Sequence, residues 1–75
     1  MDRQQKYDLI LKQIHEKFNG KVMLTKREVA DYLSITPVTL QKLTEQNAAP
    51  KAIKLGRRLR YSAGSLASFL VDNEL

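Results

Sequence analysis

Seventy-five residues, 43% apolar and 28% charged, with three glycines and two prolines, predict one folded domain with an economical core and no room for an enzyme domain beside it. Cysteine is absent, which excludes disulfides, thiolate metal sites and thiol redox chemistry and fits a reducing cytoplasm. The net charge of +5 is unevenly placed: residues 47 to 61 hold five basic side chains and no acidic one, the footprint of a polyanion contact. The longest apolar runs, Leu9-Ile10-Leu11 and Phe69-Leu70-Val71, fall far short of the roughly 20 residues that span a bilayer. With no signal-peptide pattern at the N-terminus, the expectation is a cytoplasmic protein with no membrane partner.

In chain order, residues 3 to 18 place Tyr7, Ile10, Leu11, Ile14 and Phe18 at steps of three and four, one apolar stripe on a helix. Asn19-Gly20 supplies the left-handed stop that helices favour. The polar face mixes lysine with Asp8 and Glu16, so the stripe packs on the domain or on a partner and not on a membrane. His15 has no second ligand near it and reads as a surface histidine.

A short extended piece, Lys21 to Leu24, leads into Thr25-Lys26-Arg27-Glu28, a capping box that starts a helix over 25–33 with Val29, Ala30 and Leu33 on one face. Thr36-Pro37 repeats the start signal for a second helix over 36–46, with proline at the first helical position where its missing N–H costs nothing. So short a turn forces a sharp crossing, the helix-turn-helix arrangement. Ala30 is small at the crossing, Ile35 plugs the turn, and Leu40 and Leu43 face the core. Ser34 stands where the turn visits positive φ and glycine is usual, so a cost is expected there. A helical hairpin of a small bundle without a DNA role fits this segment as well.

From Ala52 the period becomes alternating, with a turn at Gly56. A two-residue loop, Gly56-Arg57, would oppose Leu55 to Arg58 and Ile53 to Arg60 and mix apolar with charged residues on each face. A three-residue tip, Gly56-Arg57-Arg58, instead opposes Leu55 to Leu59 and Ile53 to Tyr61 and sets Lys54 beside Arg60, giving one apolar and one cationic face. The second register is the expectation, with Leu59 pointing inward and the Lys54–Arg60 repulsion relieved by a phosphate backbone. Ser62 then caps a helix over 63–71 on the stripe Leu66, Phe69 and Leu70, weakened modestly by Gly64 and followed by the acidic tail Asp72 to Leu75. The expected fold is mainly α with a small β-hairpin wing over 52–61: a winged helix-turn-helix with an N-terminal helix added.

The stretches "MLTKREVADYLSITPVTLQKLTEQ" and "KAIKLGRRLRYSAGSLASFL" resemble the small excisionase-type DNA-binding proteins and their relatives in the MerR-like winged-helix superfamily, over about Met23 to Leu70. The resemblance implies double-stranded DNA as partner, the 36–46 helix in the major groove and the wing on the backbone or in the adjoining minor groove. It also implies a role among excisionases, which bend DNA and recruit integrase, prophage-type regulators that meet the transcription machinery, and small terminase subunits for DNA packaging. Ser34, Gly64 and the N-terminal helix depart from the family pattern.

The expected contacts on the second helix are Thr36, Val38, Thr39, Gln41 and Lys42, next to Glu45 on the side not used for the core. The first three sit near the helix N-terminus. Gln41 suits adenine, Lys42 guanine or phosphate, and Val38 a thymine methyl. Lys54, Arg57, Arg58 and Arg60 would add affinity through phosphates. Lys51, Lys26 and Arg27 form a second tier, the last two oddly placed for cations because a helix N-terminus disfavours them. Another class of function is an interaction adaptor that self-associates through Tyr7, Ile10, Leu11, Ile14 and Phe18. RNA binding is disfavoured because the three tyrosines, Tyr7, Tyr32 and Tyr61, sit at core-like positions. One histidine, no cysteine and no clustered carboxylates leave no catalytic residues, metal site or cofactor to expect.

Overall fold

Among the described residues, all four helices begin on a side-chain oxygen. Asp2, Thr25, Thr36 and Ser62 accept from the backbone N–H three residues on, at 2.8, 3.1, 3.1 and 2.9 Å. Thr25 and Glu28 close a reciprocal capping box, and so do Asp2 and Gln5, a pair the apolar periodicity alone does not reveal. The computed structural model describes residues 1–74, so Leu75 of the expected acidic tail lies outside the described residues. The elements are α1 (Arg3–Lys17), β1 (Met23–Thr25), α2 (Lys26–Tyr32), α3 (Pro37–Glu45), β2 (Ala52–Leu55), β3 (Arg58–Ser62) and α4 (Ala63–Asp72).

Three of the helices end alike. Asn19, Ser34 and Asn47 follow the caps of α1, α2 and α3 with φ of 56°, 59° and 56°. In each case the next residue's N–H returns to a carbonyl in the last turn: Gly20 to His15, Ile35 to Ala30 and Ala48 to Leu43, at 2.7 to 2.9 Å. This is the Schellman ending, which satisfies carbonyls that the helix leaves open. At Ser34 it produces the sharp α2–α3 turn, in a conformation that costs an L-residue other than asparagine or aspartate about 1 to 2 kcal/mol.

The core is one cluster of Ile14, Leu24, Val29, Ala30, Leu40, Tyr61, Ala63, Leu66 and Ala67, all essentially inaccessible. The α1 stripe belongs to it: Ile14 is fully buried, and Tyr7, Ile10, Leu11 and Phe18 are half-buried against it. The stripe expected to offer a self-association face is thus packed, in part, against the chain's own core. Arg3 pins the same seam, donating to Asp72 at 2.9 Å and to Ser68 at 2.8 Å, and Lys6 reaches Glu74 at 3.1 Å. A Cβ on Gly64 would lie 2.9 Å from the Tyr7 hydroxyl, so the glycine in α4 is where α1 comes close. Its conformational cost to the helix comes with that approach.

The sheet has three antiparallel strands in the order β1-β3-β2. The short β1 joins it by pairing Leu24 with Tyr61, both buried, a pairing that three residues are too few to announce by periodicity. The hairpin register differs from the expected one. Ala52 pairs with Tyr61, Ile53 with Arg60, Lys54 with Leu59 and Leu55 with Arg58, leaving Gly56-Arg57 as a two-residue loop. Gly56 has φ +63° at the first loop position, as the favoured type II′ hairpin turn requires. Turn geometry therefore outweighed face purity. The hairpin extends past the core, and only Ala52, Leu59 and Tyr61 are needed on its inner face.

Candidate nucleic-acid interface

Helix α3 is anchored from within and open on its outer side. Leu40 is buried, and Thr44 donates to the Leu40 carbonyl at 2.8 Å while its Oγ1 lies 2.9 Å from the Tyr61 hydroxyl, which must then be the donor of that pair. This bond ties α3 to the base of the wing. Opposite, Val38 is 65% exposed, Thr39 and Lys42 are exposed and Gln41 is half-buried. Thr36 is exposed, but its hydroxyl is engaged with Thr39, accepting from the N–H at 3.1 Å and donating to Oγ1 at 3.0 Å.

Lys26, in the first turn of α2, reaches across the turn. Its Nζ donates to Gln41 Oε1 at 2.8 Å, and Gln41 Nε2 donates to Glu45 Oε1 at 3.1 Å. The cation that looked misplaced at a helix N-terminus therefore has a partner on α3, which no spacing within either helix could indicate. Arg27 is exposed beside it. Behind them Lys21 donates to both oxygens of Glu28, at 2.8 and 2.9 Å. This ammonium, and next the Thr25 N–H, hold the Glu28 carboxyl below its ordinary value.

The hairpin register sorts the basic segment onto two faces. Lys54 pairs with Leu59 and lies on the inner face with Ala52 and Tyr61, where it lines a cleft of about 470 Å³ with Thr44, Asn47 and Lys51 at the end of α3. Arg58 and Arg60 stand on the outer face beside Leu55 and Ile53, which are 57% and 48% exposed. Arg57 is exposed at the tip, and Arg60, half-buried, donates to the Leu59 carbonyl at 3.0 Å. Lys54 and Arg60 are thus on opposite faces, and the repulsion expected between them is absent. Leu59 still faces the core, since the β1 pairing sets the alternation of β3 independently of the turn. Among the described residues no ion pair involves Lys51, Lys54, Arg57, Arg58 or Arg60. Sequence reasoning had not marked Thr44 and Asn47, which enter the cleft only through the folded contact between α3 and the wing.

Two helices crossed at a left-handed serine, with a cationic hairpin beside the second, agree with a family model described as a helix-turn-helix domain, which matches residues 23–73, well over half of the chain. The chain belongs to the helix-turn-helix domain family. In this helix-turn-helix protein the match runs from β1 through α4 and leaves α1 outside, so the N-terminal helix is an addition that completes the core around Ile14. Membership supports DNA binding as the activity. No curated protein matches the chain. Among the described residues no helix is long and apolar enough to cross a membrane.

Proposed function

We propose that the protein binds double-stranded DNA in a sequence-specific manner, with α3 in the major groove and the wing on the backbone or in the adjoining minor groove. The observation that carries the reading is the pairing of an exposed α3 face, Val38, Thr39, Gln41 and Lys42, with a neighbouring hairpin whose cations have no acidic partner among the described residues. Val38, Thr39, Gln41 and Lys42 meet base edges, and Thr36 helps present the helix N-terminus to a phosphate. Arg57, Arg58, Arg60, Lys54, Lys51 and Arg27 meet phosphates and supply affinity more than sequence choice. The protein is a binding module and not an enzyme. Its role, on the resemblance of residues 23–70, is that of an excisionase working with an integrase, or of a small prophage-type regulator working in the cytoplasm; a terminase-type packaging subunit is the other role that resemblance offers.

A gel-retardation salt titration tests this. Arg57→Ala with Arg58→Ala should weaken binding to every duplex and make the slope of log K against log salt shallower by about two. A double variant that binds like the wild type throughout the titration would refute the wing's part in the mechanism.

A further inference from the structure

Gln41, half-buried on α3, is held at both ends. The ammonium of Lys26 can only donate and the carboxylate of Glu45 can only accept. The atom 2.8 Å from Lys26 Nζ is therefore the Gln41 carbonyl oxygen, and the atom 3.1 Å from Glu45 Oε1 is its amide nitrogen. The chemistry of the two neighbours sets the orientation of the amide. Each end keeps one function free: a second lone pair on Oε1 and a second N–H on Nε2.

We infer that Lys26 is a positioning residue that, together with Glu45, presents the Gln41 amide in one orientation to read an adenine. In the major groove adenine offers the N6 donor and the N7 acceptor side by side, the complement of the free acceptor and donor of Gln41. Guanine offers two acceptors, O6 and N7, and leaves the Gln41 oxygen facing a lone pair. Removing the Lys26 ammonium leaves the amide held at one end only, by Glu45, which loosens its orientation and blurs the distinction. The arrangement also accounts for two charges that phosphate contact explains poorly. Lys26 sits at a helix N-terminus, where the dipole disfavours a cation, and Glu45 is a carboxylate on the face turned to a polyanion. Through Gln41 they form a relay without net charge.

The inference rests on the reading of α3 as the base-contacting helix, and the experiment separates the two. A preferred site is first selected from random duplexes with the wild-type protein, and the position read by Gln41 is the one whose preference changes in Gln41→Ala. Affinity for the four bases at that position, and its salt dependence, are then measured for Lys26→Met and Lys26→Arg. In Lys26→Met the preference for adenine over guanine should fall about tenfold, towards that of Gln41→Ala, while the salt slope stays as in the wild type. Lys26→Arg, which keeps a donor, should restore most of the preference. A wild-type base profile in Lys26→Met overturns the inference. So does an unchanged profile with a slope shallower by about one, which would make Lys26 a phosphate contact. If Gln41→Ala changes no base preference, or the wild type retards no duplex, the reading of α3 itself fails and the inference with it.

Discussion

The seam between α1 and α4 and the wing are both rich in charge, and they handle it differently. In the seam Arg3 faces Asp72 and Lys6 faces Glu74 across a strip of apolar contacts that ends on the buried Ile14. In the wing and its approach five cations occupy fifteen residues, and none is ion-paired among the described residues. Exposed pairs such as Arg3–Asp72 contribute little energy individually. Their value to the comparison is that they account for their charges within the chain. The charges of the wing have no such partners among the described residues, and the proposed function assigns them to DNA phosphates.

If that contrast is sound, the two regions should respond to different assays. The largest effect belongs to the point where wing and core meet. Tyr61→Ala removes a fully buried ring and its bond to Thr44, and should cost about 3 to 5 kcal/mol in urea unfolding. The Arg57→Ala, Arg58→Ala protein should stay within about 0.5 kcal/mol of the wild type in the same assay. A wing variant that unfolds markedly earlier would break the comparison.

Next in size, Ser34→Gly should raise stability by about 1 kcal/mol, because glycine adopts φ near 59° without the Cβ penalty. An unchanged unfolding midpoint would mean that the turn carries no strain. The smallest effect concerns acid. Lys21 and the Thr25 N–H keep the folded-state value of Glu28 below its ordinary one, so its contribution is present above the usual carboxylate range, about pH 4, and is lost as pH falls through the depressed value. Asp72, lowered by the hydrogen bond from Arg3, acts in the same direction. Glu28→Gln should therefore be less stable at neutral pH and lose less stability on acidification, as followed by circular dichroism across pH 2 to 7. An acid profile parallel to that of the wild type would remove Glu28 from the account.

Helix starts were legible in the sequence because they depend on a few adjacent residues: Thr25 with Glu28, Thr36 with Pro37, and Ser62 before an apolar stripe. The strain at Ser34 was legible for the same reason. Strand pairing was not, because two registers of the hairpin satisfy β3 equally. Both turn Leu59 and Tyr61 inward, and only the choice between a two- and a three-residue loop decides whether Lys54 or Ile53 shares their face. Face purity favours one β2 alternation and turn geometry the other, and the hairpin follows its turn. The contacts around the candidate site were out of reach for another reason. Lys26 and Gln41 are fifteen positions apart on different helices, and Thr44 and Tyr61 are seventeen apart, so neither bond leaves a local signal.

The register that displaced the expected one changes how the wing meets a polyanion. With Lys54 on one side of the ribbon, Arg58 and Arg60 on the other and Arg57 at the end, no rotation of the hairpin about its own axis turns an uncharged surface to the phosphates. A blade cationic on a single face would have to arrive in one orientation to gain anything. This one carries a cation on each side and at its end, so on the proposed function a phosphate backbone meets charge from more than one approach.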